Sequence, residues 1–358
     1  MDQANIKKLI SGEKTGFGSV LLRFLLGAVS VGYSIVIGLR NFLYSARWLK
    51  THSADAVVIS LGNITTGGTG KTPLVIWLCK KIIPDNQCAI LMRGYKTSAQ
   101  EIEKLTDEPA IFLESCPEVK VIVNPDRVAG AEEAAIKFGS KVLIMDDGFQ
   151  HRRLARDLDI VAIDATLPFG YGRMLPAGLL REPVSSLKRA GAVVITRCDQ
   201  IAENELSELE QKLRLINPEM VIARSVHAPA YVKSKDNKEI ALEELKAKKI
   251  FGFCGIGNPG SFLATIKTTG AELVGSKIFN DHHHYTEACI ADIFEQAERL
   301  NADLILTTQK DLNKITRPES LKTEIPLAYI GIEIQFLSGE EELWGLIEKT
   351  LAGKIPKK

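Results

Sequence analysis

The sequence predicts an α/β fold with a mainly parallel sheet. Short apolar runs rich in Val and Ile alternate with helical segments, which is the pattern of parallel strands joined by right-handed crossovers. The strongest run, residues 57–61, enters a glycine-rich loop that ends in Gly-Lys-Thr, and a helical stretch follows at residues 74–82. A strand, such a loop and a helix in this order predict a P-loop NTPase-type domain.

The glycine-rich loop has the composition of a phosphate-binding loop. Gly67, Gly68 and Gly70 lack a Cβ, so the backbone can adopt positive φ and turn its N–H groups onto phosphate oxygens. Lys71 supplies a charge for the β- and γ-phosphates of ATP, and the Thr72 hydroxyl is a candidate Mg²⁺ ligand. The predicted ATP-binding residues of the loop are Thr65, Thr66, Gly67, Gly68, Thr69, Gly70, Lys71 and Thr72, where Thr65 replaces the first glycine of the usual spacing.

Composition limits the class of protein. With 358 residues the chain is long enough for two domains. The formal net charge of +1 argues against a general nucleic-acid binder, which would show a basic excess. The six cysteines are scattered without zinc spacing, so we expect reduced thiols. No motif indicates an obligate protein partner.

The N-terminal region is apolar and flanked by cations. Arg23 and Arg40 bracket the uncharged residues 24–39, which as a helix would span about 24 Å. A bilayer core requires about 20 residues, so the run is somewhat short for a span. Three interpretations remain: a helix at or partly inserted in the membrane surface, a buried core helix, and a true span.

The expected domain organisation has four parts. We expect residues 1–48 to form an N-terminal membrane-associated helix region and residues 49–218 to form the P-loop domain. A β linker at 219–240 contains two short strands, 221–224 and 231–233, and a smaller α/β domain occupies residues 241–358.

Carboxylates follow the fourth predicted strand. Residues 142–145 are apolar and are followed by Asp146 and Asp147. A carboxylate at the carboxyl end of a strand beside a phosphate loop is typical of a Mg²⁺-holding position. The two aspartates are therefore candidate metal residues.

Other polar groups are also expected at the strand ends. Asp107 precedes Pro109 at a loop-to-helix transition, where it either caps the helix or presents a carboxylate to the site. Arg93 follows the second strand. The loop at residues 169–183 carries Arg173 and Arg181, which are either surface arginines or phosphate-recognition groups.

Three consecutive histidines, His282, His283 and His284, cannot all point one way, so metal binding is not favoured. A loop that presents one histidine, oriented by Asp281, is the better interpretation.

Taken in order, these motifs resemble the tetraacyldisaccharide 4′-kinase family, the lipid A kinases of Gram-negative bacteria. The resemblance covers most of the chain, including the apolar N-terminal helix. It rests on Gly62-Asn63, the loop at residues 67–73, Arg93-Gly94-Tyr95, Asp107-Glu108-Pro109, residues 146–151, residues 175–183, Asp281-His282-His283 and residues 308–311. One departure is Gln309, where the family usually has Glu.

The resemblance implies ATP-dependent phosphorylation of the 4′-hydroxyl of a tetraacylated glucosamine disaccharide 1-phosphate. By similarity, Asp107 is the base, His282 and Lys71 assist, and the nucleotide is also bound by Arg93, Gln150 and Arg181. The implied Mg²⁺ ligands are Thr72, Asp146, Asp147 and Glu182. The family also implies an acylated lipid substrate and a peripheral or monotopic position on the cytoplasmic face of the bacterial inner membrane.

Two other classes of protein are alternatives. Membrane-surface ATPase switches of the partition kind share Gly-Gly-x-Gly-Lys-Thr, but they carry a lysine where this chain has Thr66. A non-catalytic lipid-binding scaffold would leave the phosphate loop, Asp107 and Asp146 unexplained together.

Overall fold

The structure is a computed structural model that describes residues 3–94, 107–234, 238–281, 283–315, 323 and 325–354, with the side chains of residues 3, 4, 107 and 108 outside the description. Its strands are β1 Val57–Gly62, β2 Cys88–Met92, β3 Lys120–Val123, β4 Val142–Asp146, β5 Leu158–Asp164, β6 Ala192–Thr196, β7 Val221–Ser234, β8 Glu239–Ile240, β9 Lys249–Cys254, β10 Glu272–Ile278, β11 Leu304–Thr308 and β12 Leu327–Ser338. Its α-helices are α1 Gln3–Ile10, α2 Phe17–Ser45, α3 Lys71–Ile82, α4 Asp107–Ser115, α5 Arg127–Phe138, α6 Glu203–Ile216, α7 Pro259–Thr268, α8 Glu287–Arg299, α9 Gln309–Leu312 and α10 Glu340–Ala352.

The described residues divide into two compact units. The first contains residues 3–94, 112–226 and 336–354, and the second contains residues 107–111 and the described part of 227–335. This division differs from the sequence-based boundaries in three respects: residues 219–226 and the C-terminal helix α10 group with the first unit, and residues 107–111 group with the second. Hydrogen bonds just after α10 join it to the first unit: Lys354 donates to the Asp157 carboxylate and to the carbonyl of Ala56.

The sheet of the first unit has the strand order β7-β6-β5-β1-β4-β2-β3. All of its neighbouring strands are parallel, as the sequence predicts. Every residue of β1 is buried, because helices cover both faces of a parallel sheet. Leu61 pairs in register with Asp146 of β4, and Gly62 pairs with Val161 of β5. Strand β1 lies between β5 and β4, and the sheet continues from these two strands in opposite directions. In parallel sheets, ligands bind at the carboxyl ends of the strands at such a switch point.

The second unit is also α/β. Its parallel strands have the order β10-β9-β11-β12, and β8 pairs antiparallel with the later part of β7. The predicted α/β unit starting near residue 249 is confirmed by β9 and α7.

Two local predictions differ from the structure. The two short strands expected at 221–224 and 231–233 are parts of one continuous strand, β7, since no glycine or Asn-Gly pair interrupts residues 221–234. The sequence predicts a helical run from Ala110 to Glu114, whereas helix α4 begins at Asp107, ahead of Pro109. Pro109 lies in the first turn, where its missing N–H removes no helical hydrogen bond.

Helix α2 is longer than the uncharged run that predicts it. Its 29 residues extend over about 44 Å. Judged by length and composition alone, it is the helix within the described residues that could cross a membrane. Polar side chains attach one face to the first unit: the Ser30 hydroxyl donates to the carbonyl of Met174, and the Tyr33 hydroxyl donates to the carbonyl of Arg181. Large apolar side chains elsewhere on the helix are exposed, including Phe17, Phe24, Val31, Val36 and Phe42. A helix buried in the core is therefore excluded.

Candidate active site

The phosphate loop has the backbone conformation that its glycines predict. Gly67 and Gly70 have φ values of 110° and 81°, in the region that favours glycine. Gly70 is also the N-cap of α3, so Lys71 and Thr72 begin the helix. The start of the loop is held by the segment 179–181: Thr66 N–H donates to the carbonyl of Leu179, and Thr65 forms an isolated bridge with Leu180.

Lys71, Asp147 and Arg181 form a charged cluster next to this loop. The Lys71 Nζ lies 3.3 Å from Asp147 Oδ1. Arg181 donates to both carboxylate oxygens of Asp147, each at 2.8 Å. One carboxylate between two cations leaves a net positive charge, which adds to the partial positive charge at the start of α3. The cluster is suited to bind an anion with several oxygens, such as a phosphate.

The titration properties of the cluster follow from these contacts. Burial raises the pKa of Asp147, but the charge of Lys71 and the hydrogen bonds from Arg181 outweigh burial and hold the pKa well below its usual range. Burial lowers the pKa of Arg181, but the hydrogen bonds to Asp147 outweigh it, and this pKa lies above its usual value. Asp147 and Arg181 are therefore both charged at neutral pH.

A second set of contacts orients Arg181. Its guanidinium also donates to Asn63 Oδ1 at 3.2 Å, and its backbone N–H donates to the carbonyl of Ile64 at 2.7 Å. The Gln150 side chain donates to the carbonyl of Asn63 at 2.8 Å. Gln150, expected at the nucleotide, thus braces the end of β1 in this structure. The Tyr33 contact on the Arg181 carbonyl ties helix α2 to the same point.

The contacts of Glu182 favour a structural role over the expected metal role. The side chain is fully buried, and it accepts hydrogen bonds from Arg40 at 2.6 Å, Arg189 at 2.9 Å and Asn41 at 3.3 Å. Both carboxylate oxygens thus accept hydrogen bonds from cationic or amide donors. Glu182 instead joins α2 to the loop that carries Arg181.

The other expected site residues occupy varied positions. Asp146 ends β4, with its side chain half-buried and its backbone carbonyl accepting a hydrogen bond from Arg127. Arg93 follows β2 and is exposed. Asp107 begins α4, but its side chain lies outside the described residues, as do Tyr95 and His282.

His283 is described, and its ring packs against neighbouring side chains. Its ring stacks on Phe279 with the centroids 4.5 Å apart, and its Nε2 lies 3.7 Å from the sulfur of Cys289. Among the described residues, no three His, Cys, Asp or Glu side chains form a group that could hold a metal ion by themselves.

Sequence reasoning missed several residues that support the site. Buried Arg127 donates to the carbonyls of Leu91 and Asp146 and so joins the ends of β2 and β4. Burial lowers the pKa of Arg127 to about 10. Asn63 belongs to the Gly-Asn motif, but its partner Arg181 lies 118 residues further along the chain. No local sequence pattern indicates that Arg40 and Arg189 pair with Glu182, because the three residues lie in different segments.

The parallel sheet, the phosphate loop at its switch point and the charged cluster define a nucleotide-binding protein of the P-loop class, with a site arranged for phosphoryl groups. Comparison with known proteins gives the family. The model of the LpxK family, tetraacyldisaccharide-1-P 4′-kinase, matches residues 22–352. The chain belongs to this family and is a kinase, a phosphotransferase with an alcohol acceptor.

Individual relatives agree with the family match. The chain is 35% identical to a tetraacyldisaccharide 4′-kinase of Halothermothrix orenii, over 97% of this chain and 99% of the relative. It is 35% identical to the enzyme of that name from Chlorobaculum parvum, over 93% and 96%. Among solved structures, LpxK from Aquifex aeolicus in complex with ATP is 28% identical with a TM-score of 0.69, covering 92% of this chain and 99% of that one. The predicted family and fold class are confirmed.

Proposed function

We propose that this chain transfers the γ-phosphoryl group of ATP to the 4′-hydroxyl of a tetraacylated glucosamine disaccharide 1-phosphate. The product is the bisphosphorylated lipid A precursor. The observation that carries the proposal is the cluster of Lys71, Asp147 and Arg181 at the phosphate loop. Family membership supplies the substrate, since the relatives are named for this reaction.

In the proposed reaction, the loop binds the phosphates of ATP. The positive φ values of Gly67 and Gly70 let backbone N–H groups turn towards phosphate oxygens. Lys71 contacts Asp147 in the structure described here, and we propose that it exchanges this contact for the β- and γ-phosphates. Arg181 keeps Asp147 charged and in place while Lys71 moves.

The donor set beside the loop fits Mg²⁺. The Thr72 hydroxyl and the Asp146 carboxylate are oxygen ligands, which this hard cation prefers. The described residues contain no all-protein cage, and Mg²⁺ is usually held by one or two carboxylates, phosphates and water. We assign Thr72 and Asp146 to the ion, with Asp147 as a further oxygen donor once Lys71 has left it. When bound, Mg²⁺ offsets charge on the transferred phosphoryl group.

A sugar hydroxyl is a weak nucleophile, so a base must accept its proton as the oxygen attacks phosphorus. We assign this role to Asp107 from its match to the family motif and its place at the start of α4. The hydroxyl proton passes to the Asp107 carboxylate, the new P–O bond forms, and ADP leaves with the electrons of the broken bond. His282 assists the base, and Arg93 contributes a cation at the end of β2.

Helix α2 supports a lipid substrate and a position at the membrane. Its exposed apolar side chains would be costly in water and are stabilised by contact with lipid. A cavity of about 480 Å³ lies beside the helix, with an apolar wall and two cations, a combination suited to an acylated phosphate. The lining residues are Val20, Arg23, Phe24, Gly27, Ala28, Val31 and Arg173. We propose the cytoplasmic face of the bacterial inner membrane, where ATP is present.

The test is direct. Purified full-length protein in detergent is incubated with Mg-ATP and a tetraacyldisaccharide 1-phosphate, and the lipid is analysed by mass spectrometry for one added phosphate. Lys71→Ala should abolish the product, while Lys81→Ala, a lysine in the last turn of the same helix, should retain it. Absence of product from the unmodified protein would refute the function. Full activity of Lys71→Ala would exclude the loop as the ATP site, and ATP hydrolysis without lipid product would favour an ATPase switch.

A further inference from the structure

Two consecutive residues at the end of β6 hold the phosphate loop from outside it. The Thr196 hydroxyl donates to the carbonyl of Thr69 at 3.0 Å, and the Arg197 guanidinium donates to the carbonyl of Gly68 at 2.8 Å. Both side chains belong to buried residues. Two adjacent carbonyls of the loop are thus fixed by a segment nearly 130 residues further along the chain.

The Arg197 guanidinium is itself held firmly. It forms a salt bridge with Asp164 at 2.5 Å, with both side chains at or below 10% exposure. The Thr166 backbone N–H and hydroxyl in turn donate to Asp164 at 3.0 and 2.7 Å. Arg197 also has a φ of 59°, a conformation uncommon outside glycine, which costs free energy that the surrounding contacts must offset. The chain of contacts runs from the end of β5 to the loop.

The two hydrogen bonds determine the direction of loop N–H groups. A trans peptide is planar, so its C=O and N–H point opposite ways. With the carbonyls of Gly68 and Thr69 turned to β6, the N–H groups of Thr69 and Gly70 are turned away from it. The Thr69 N–H donates to the carbonyl of Gly67 at 3.1 Å within the loop, a contact that it would exchange for a phosphate oxygen. Neither Gly67 nor Gly68 would bring a Cβ within 4 Å of another atom, so packing at these positions does not impose the conformation.

We propose that Arg197 is a positioning residue for ATP binding: with Thr196 it presets the phosphate loop in the conformation that receives the triphosphate. This inference rests on the proposed function, because it takes the loop as the ATP site. Arg197 acts through the backbone of Gly68 and does not need to touch the nucleotide. A preset loop loses less conformational entropy on binding, so the contact contributes to affinity for ATP more than to the rate of the chemical step.

The experiment measures binding of a fluorescent, non-hydrolysable ATP analogue to full-length protein in detergent, with the folded state checked by thermal melting. Arg197→Met should raise the Kd of the analogue about 10- to 100-fold, the effect expected when hydrogen bonds from a charged group are lost. Thr196→Val, which keeps the shape of the side chain, should raise the Kd about 3- to 10-fold because a neutral hydrogen bond is lost. Arg197→Lys should recover part of the affinity, since an ammonium can donate to Gly68 but not in the same fork geometry.

A matched control separates positioning from general loss of an ion pair. Arg224 lies on the neighbouring strand and pairs with Glu203 and Glu210 at 2.6 Å each, without a contact to the loop. Arg224→Met should leave the analogue Kd within about twofold, since such pairs contribute little. In the lipid kinase assay, Arg197→Met should raise KM for ATP and leave kcat at saturating ATP nearly unchanged.

The outcomes are distinct. A folded Arg197→Met protein with an unchanged Kd, or with lowered kcat and unchanged KM, overturns the inference. If Arg197→Met does not fold, Thr196→Val decides: weakened binding supports the inference and an unchanged Kd overturns it. If the unmodified protein does not bind the analogue, the proposed function itself fails. Binding by the unmodified protein with equal binding by Arg197→Met removes only the positioning role.

Discussion

Replacement of Glu182 by Gln tests whether this carboxylate stabilises the fold or binds metal. Gln keeps the shape of the side chain, but its amide is neutral and places a donor group against arginine donors. Removing one partner of a buried ion pair costs about 3–5 kcal/mol. Arg40 and Arg189 are 31% and 20% exposed and so keep part of their hydration. We therefore expect Glu182→Gln to lower the free energy of unfolding by about 2–4 kcal/mol.

The assay can be confined to the unit that contains Glu182. All three tryptophans, Trp48, Trp77 and Trp344, lie in the first unit. Urea unfolding followed by tryptophan fluorescence therefore reports that unit. Glu133→Gln, which removes an exposed pair with Lys137, is the control and should cost less than about 0.5 kcal/mol.

Metal dependence separates the two roles of Glu182. A structural carboxylate gives the same loss of stability in EDTA as in Mg²⁺. A double-mutant cycle of Glu182→Gln with Arg189→Met should show a coupling energy of about 1–3 kcal/mol, because the two side chains are in contact. A loss below about 1 kcal/mol in EDTA, or one seen only with Mg²⁺ present, would refute the structural role and restore Glu182 to the metal site.

Three other variants test separate features of the protein. Asp107→Ala should lower kcat by about 10²–10⁴ with ATP affinity kept, and an unchanged kcat would exclude it as the base. Phe24→Asp combined with Val31→Asp should move the protein from sedimented membranes to the soluble fraction without loss of folding, and continued sedimentation would count against lipid contact. Burial and then the charge of Arg127 lower the pKa of His151 from 6.5 to about 4. The unfolded chain therefore takes up this proton first, and stability should fall as pH drops from about 6.5 to about 4. The ring is partly exposed, which limits the loss to roughly 1–2 kcal/mol. His151→Gln should flatten this part of the pH profile, and an unaltered profile would assign the loss to other groups.

Local features of the fold were predictable because local residues encode them. The glycines of the phosphate loop specify positive φ, and Gly70 begins α3 where the Gly-Lys-Thr motif predicts a helix. The apolar run that ends in Asp146 predicts a buried parallel strand beside β1. These elements need only the neighbouring sequence, so the P-loop class was evident before any coordinates.

Partners distant along the chain were not predictable in the same way. The sequence motif placed Glu182 with the metal ligands, whereas the fold surrounds it with Arg40 and Arg189. The loop contact of Arg197 had no signal, since a lone arginine after a strand has many possible partners. The expected break within the linker was wrong because β7 continues through it.

The sequence alone determined the class of site and its principal chemical groups, because a phosphate loop, a strand-end carboxylate and a helix start are specified by adjacent residues. Tertiary structure decided which charged side chains meet: Lys71 with Asp147 and Arg181, Glu182 with helix α2, and Arg197 with the loop. The physical reason is that charge pairing depends on distance and burial, and these are set by packing between segments that lie 34 to 142 residues apart along the chain.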